Sequence, residues 1–232
     1  MERGRDMMDR RKSFVSSLED LRADLLRMGA AVERAIHDAV KSLVNRDQAL
    51  AERVVQGDDA IDQLELDIES QCLSLLALQQ PMAKDLRVIG TALKVITDLE
   101  RMADHAVDIA QVTIALHGQR LIKPLIDVPR MAELAQAMVR KSLDAYVDEN
   151  VEAARAVIEA DDEVDHLYAQ VFRELLLIMM ENPRSIEQAT HLLLVAQYLE
   201  RIADHATNLG EWVIYMVTGE RPPAQRYSRG PG

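Results

Sequence analysis

The chain has a single cysteine, Cys72, so no disulfide can form within it. Phe, Trp and Tyr make up only 3% of its 232 residues, and it has nine glycines and seven prolines. That scarcity of strand-formers and chain-breakers argues against a β-rich fold and for an all-helical one. Long apolar runs are missing too. "LLLIMM" and "HLLLVA" fall well short of the roughly 20 residues that a spanning helix needs. The opening "MERGRDMMDRRKSF" lacks the apolar stretch of a secretory signal. We therefore expect a cytoplasmic protein that meets a membrane only through partners. Basic excess is absent as well: at a net charge of −12 there is no clustered Lys and Arg to displace counterions from a phosphate backbone, which disfavours nucleic acid. The same charge suits a cation-binding or basic-partner surface, and equally an ordinary solvated one.

What is present is helical periodicity. Phe14, Leu18, Leu21, Leu25, Met28, Val32, Ile36, Ala39 and Leu43 recur at three- and four-residue steps, an apolar stripe on one helix. Asp47 can cap a second helix running to about Gln79, and Pro81 opens a third that stops at His117-Gly118. After a linker containing Pro124 and Pro129 the pattern resumes. It predicts a fourth helix to about Asp148, a fifth from Asn150 to about Glu181 and a sixth from Pro183 to about Thr218. The two halves align: "DDAID" from Asp58 returns as "DDEVD" from Asp161, and "LERMADHA" from Leu99 returns as "LERIADHA" from Leu199. The expected architecture is all-α, two tandem pseudo-symmetric three-helix bundles over 1–120 and 121–220, with a loose polar tail over 221–232.

Each half contains two acid pairs at four-residue spacing: Asp58/Asp62 and Glu100/Asp104, then Asp161/Asp165 and Glu200/Asp204. Four residues advance a helix by about 40° and 6 Å, so both carboxylates of a pair share a face. Any one such pair on an acidic chain reads as a solvated helix face. Register argues otherwise. In an antiparallel hairpin, residues equidistant from the turn lie level with each other. Asp62 and Glu100 are equidistant from Pro81, as are Asp58 and Asp104. Asp165 and Glu200 are equidistant from the Asn182–Pro183 junction, as are Asp161 and Asp204. Each hairpin thus brings four carboxylates to one level. Glu100 and Asp104 also continue the apolar stripe of Ile89, Leu93 and Ile96, which places the acids on or at the edge of the packing face.

Four like charges at one level need cancelling by cations, by Arg or Lys, or by protonation. Arg101 and Arg201 project about 100° away from Glu100 and Glu200, which makes them awkward partners. Bound metal is the better expectation. All-oxygen ligation favours Mg²⁺, Mn²⁺, Ca²⁺ or ferric iron, with zinc admissible. Asp108 extends the first row by a turn, but its counterpart is Asn208, so the two sites should differ. His105 and His205 point off the carboxylate face, where hydrogen-bonded structural roles are the commoner outcome. No Gly-rich phosphate loop, cysteine pair or nucleophile–base spacing accompanies these acids.

The repeated LER segments, the paired "DDAID" and "DDEVD", and "LLALQQPMAKDLR" at Leu75 to Arg87 together resemble the PhoU family of phosphate-uptake regulators, over about residues 14–218. The resemblance implies multinuclear iron or zinc clusters on the bundle surface, held at the positions of Asp58, Asp62, Glu100, Asp104, Asp161, Asp165, Glu200 and Asp204. Asp108 joins these as a candidate ligand from its place in the row. The resemblance further implies a non-enzymatic adaptor, expected as a homodimer, between a phosphate-sensing histidine kinase and the ATPase subunit of a phosphate ABC transporter. A metal-dependent enzyme acting on phosphorylated substrates and a metal-free helical scaffold are the competing expectations. "KDLR" at Lys84 to Arg87 is a candidate docking segment beside the first hairpin turn.

Overall fold

A computed structural model describes residues 2–79 and 81–222, and their regular structure is entirely helical. Six α-helices follow in order: α1 (Glu2–Asn45), α2 (Gln48–Gln79), α3 (Ala83–Ala115), α4 (Asp127–Val147), α5 (Val151–Glu181) and α6 (Ile186–Thr218). The expected helix starts need two adjustments. Pro129 lies inside the first turn of α4, where its missing N–H has no partner to lose. Pro183 opens a single 3-10 turn, Pro183–Ser185, and α6 proper begins after it. The polar tail falls outside the described residues from 223 onward.

The duplication is visible in the backbone. At the α1–α2 turn Arg46 is left-handed (φ 57°), the Asp47 N–H donates to the Ser42 carbonyl at 2.8 Å, and the Asp47 carboxylate caps Leu50 N–H at 2.9 Å. At the α4–α5 turn Glu149 is left-handed (φ 52°), the Asn150 N–H donates to the Ala145 carbonyl at 2.9 Å, and the Asn150 side chain caps Ala153 N–H at 3.0 Å. The same helix stop and helix start are built twice, 103 residues apart.

α1, α2 and α3 pack as one three-helix bundle and α4, α5 and α6 as the other. The bundles join through α1 against α4 and α3 against α6, so these four helices form the middle of the molecule while α2 and α5 flank it on opposite sides. Both contacts are antiparallel: Arg22 meets Glu149 and Glu33 meets Arg140 along α1/α4, and Asp98 meets His205 along α3/α6. Close approach relies on two glycines. A Cβ on Gly29 would stand 2.1 Å from Leu143 Cδ1, and one on Gly210 would stand 3.0 Å from the Ala154 carbonyl oxygen. The predicted stripe of α1 is the core: Leu21, Leu25, Met28, Val32, Ile36 and Ala39 are fully buried. Cys72 is buried with them, and burial pushes its thiol up to about 12, which keeps it protonated and unreactive.

Three residues of the "KDLR" segment make contacts within the molecule, while Lys84 and Leu86 stay exposed. Lys84 pairs with Glu149 at 2.8 Å, Asp85 with Arg11 at 2.9 Å, and the Arg87 Nε donates to the Met216 carbonyl at 3.1 Å. Two of these three contacts cross between the bundles, because the start of α3 lies beside the ends of α4 and α6.

Candidate metal centre

The hairpins α2–α3 and α5–α6 set the level of each acid. Among the influences on Asp58 are Asp62 beside it and Asp104 across the hairpin, while Glu100 is acted on by Asp104 and by Asp62 opposite. In the second half Asp161 faces Asp165 and Asp204, and Glu200 faces Asp204, Asp165 and Asp161. These are the pairings that equidistance from the turns predicts. The acids edge the core rather than enter it. Asp62 is exposed and the other seven are partly buried.

Their electrostatics follow from that position. Burial, then mutual repulsion, raises Asp58 to about 6. The second half is more strained: burial followed by its carboxylate neighbours raises Asp161 to about 7, and burial with Asp204 raises Glu200 to about 7. Glu100 and Asp204 are raised as well, chiefly by burial. Asp161 Oδ1 is buried without a hydrogen-bond partner, and so is Thr207 Oγ1. The Thr207 hydroxyl is near enough to favour the Asp161 carboxylate, although neither atom forms a hydrogen bond.

The two arginines depart from expectation. Arg101 folds back to lie 3.5 Å from Glu100 and 3.2 Å from Asp104, and Arg201 lies 3.9 Å from Glu200. A helical projection fixes only where Cα–Cβ points, and a guanidinium on a long flexible stem reaches back along the face. Both arginines are more than half exposed, so water screens much of their effect. Glu100 and Glu200 therefore keep raised affinities for protons despite them.

Glu65 is a member of the first cluster that sequence reasoning left aside. Its carboxyl is raised by burial, with Glu69, Asp62 and Asp104 adding to it. The position equivalent to Glu65 in the second half is Tyr168, which sits near Glu200. Asp108, in contrast, is not gathered into the first cluster. It turns toward α6, with His105 Nδ1 at 3.5 Å and Tyr198 nearby.

The histidines form a separate seam between α3 and α6. His205 Nδ1 lies 2.8 Å from Asp98 Oδ1, and Asn208 donates to the same oxygen at 3.3 Å. A carboxylate only accepts, so the His205 proton is on Nδ1. By the pseudo-symmetry His105 meets Tyr198, the counterpart of Asp98, and stacks on it at 5.6 Å. Asp98 carried no signal in the sequence because its counterpart is not an acid.

Among the described residues, no three His, Cys, Asp or Glu side chains converge closely enough to grip an ion as they stand. The donor set nonetheless suits one. It is all oxygen, it is charge-dense, and it includes a buried carboxylate oxygen with nothing to bond. Asp58 also lines a groove of about 510 Å³ between α1 and α2.

Comparison with known proteins bears on both halves. The PhoU domain model matches residues 25–113 and again 128–213, once in each bundle. A phosphate-specific transport system accessory protein PhoU homolog from Clostridium acetobutylicum is 43% identical over 212 residues, covering 91% of this chain and 97% of its own. The homolog from Rhizobium meliloti is 39% identical over 215 residues, covering 92% and 91%. Among solved structures, PhoU from Pseudomonas aeruginosa aligns with a TM-score of 0.85 at 39% identity, over 89% of this chain and all of that one. The phosphate transport system regulatory protein PhoU from Streptococcus pneumoniae aligns with a TM-score of 0.85 at 30% identity, over 90% and 99%.

Proposed function

The chain belongs to the PhoU family, and from that premise we propose that it is a non-enzymatic, cation-binding regulator of phosphate-specific transport. In this reading Asp58, Asp62, Glu100 and Asp104 hold one metal cluster, with Glu65 at its margin, and Asp161, Asp165, Glu200 and Asp204 hold the other. A bound cation supplies positive charge that neutralises carboxylates now resisting ionisation. The hardness of the donors favours ferric iron, magnesium or manganese over zinc. The observation that carries the proposal is the second cluster, where two carboxyl groups stand near neutral pKa and one buried oxygen has no partner.

Among the described residues no helix is long and apolar enough to cross a membrane, which fits a regulator that reaches the transporter through other subunits. We assign it to the cytoplasm, between the ATPase subunit of the phosphate ABC transporter and the phosphate-sensing histidine kinase, acting as a dimer. Elemental analysis of the purified protein beside the Glu100→Ala/Asp104→Ala/Glu200→Ala/Asp204→Ala variant tests the metal. Several equivalents present in the wild type and lost in the variant are expected, and equal near-zero content in both would refute it. Co-purification of the kinase or the ATPase subunit with wild type and with Glu200→Ala/Asp204→Ala tests the role, since unchanged association would separate the acids from docking.

A further inference from the structure

At the end of the molecule away from the "KDLR" contacts, the α1–α2 turn meets the linker joining the two bundles. There a concavity of about 680 Å³ is lined by Arg46, Arg120 and Lys123 with Val44, Leu121 and Pro124, and among the described residues no carboxylate lines it. Tertiary structure builds this cluster from separate elements. Gln188 of α6, almost fully buried, accepts from Ile122 N–H at 2.6 Å and donates to the Arg120 carbonyl at 3.2 Å, which pins the linker. Lys123 is held by Glu174 of α5. Arg46 is presented by the turn itself.

Arg46 is the unexplained member. It occupies a left-handed position where glycine would be cheaper by about 1 kcal/mol. Its counterpart 103 residues later, Glu149, is left-handed too, and there the side chain has a use: it bridges Arg22 and Lys84, each at 2.8 Å. Among the described residues Arg46 has no ion pair, and neither has Arg120. Two guanidiniums without ion pairs and an ammonium already paired with Glu174 thus face one concavity on a chain of net charge −12. Planar guanidiniums match phosphate oxygens bidentately, and a cationic concavity concentrates anions.

We propose that this concavity binds a small anion carrying two or more linked phosphate groups. Its volume lies in the range of small-molecule sites, roughly 300–1,000 Å³, far larger than one orthophosphate would fill. Among the described residues its apolar walls are aliphatic, with no aromatic ring on which a base could stack, so recognition runs through the phosphates. The site stands apart from the acid clusters and does not depend on their binding metal.

The test is isothermal titration calorimetry at physiological salt with orthophosphate, sodium tripolyphosphate and ATP. Tripolyphosphate and ATP should bind within a few-fold of each other, and orthophosphate at least tenfold more weakly. Arg46→Gln/Arg120→Gln should weaken tripolyphosphate at least tenfold. Arg46→Gly should also weaken it while melting no lower than wild type, because glycine relaxes the turn; that rules out misfolding as the cause. The four-alanine acid-cluster variant should bind tripolyphosphate as wild type does. Absent binding, equal affinity in the arginine variants, ATP favoured far above tripolyphosphate, or binding lost only in the acid-cluster variant would each overturn the proposal.

Discussion

Replacing Asp161 by asparagine should stabilise the metal-stripped protein at alkaline pH and matter little in mild acid. Asp161 moves from an ordinary 3.8 to about 7 in the folded chain, so folding favours its neutral form. A carboxyl raised in this way costs nothing below its unfolded value. The cost grows above about pH 4 and is complete above about pH 8. At about 1.4 kcal/mol per pH unit, the displacement corresponds to about 4 kcal/mol. The side chain is part exposed and titrates jointly with Glu200 and Asp204, so screening and coupling leave about 2 kcal/mol. In urea denaturation with excess chelator, Asp161→Asn should exceed wild type by about 2 kcal/mol at pH 8, narrowing to under about 1 kcal/mol at pH 5. A gap that does not change with pH, or a variant less stable at pH 8, would refute the reasoning.

Two further predictions concern the backbone. Gly210→Ala sets a Cβ 3.0 Å from the Ala154 carbonyl oxygen, which moves only with α5; Gly57, mid-helix in α2, has nothing within 4 Å. Gly210→Ala should therefore lower stability by about 1–2 kcal/mol and Gly57→Ala raise it by up to about 1 kcal/mol in denaturant midpoints, and the same sign for both would be wrong. At the α4–α5 turn, Glu149→Ala and Glu149→Gly both remove the ion pairs to Arg22 and Lys84, but only glycine suits φ 52°. Thermal unfolding should find Glu149→Gly the more stable by about 1 kcal/mol, and equal losses would mean the turn does not enforce that φ.

The hairpin geometry was legible residue by residue. Asp58 opposite Asp104 and Asp161 opposite Asp204 follow from counting outward from a short turn, because a tight connection leaves two antiparallel helices only one register. The stripe from Leu21 to Leu43 marked the core for a similar reason: helical periodicity places those residues on one face whatever packs against it. Side-chain reach was not legible. Arg101 returns to Glu100 and Asp104 through rotamers that a helical projection does not contain, and Asp108 acts on Tyr198 of α6, a neighbour that only the packing of the two bundles supplies.

The sequence alone therefore determined the six helices, their pairing within each half and the level of eight carboxylates, all consequences of periodicity and short connections. Only the tertiary structure decided how the halves meet. The Asp98–His205 contact, the contacts of Lys84 and Arg87, and the joining of Arg46 to Arg120 and Lys123 link residues far apart in the chain. No local rule sets such distances. They are fixed when α1 and α3 pack against α4 and α6, which depends on the fit of whole faces, down to the absence of a Cβ at Gly29 where it meets Leu143.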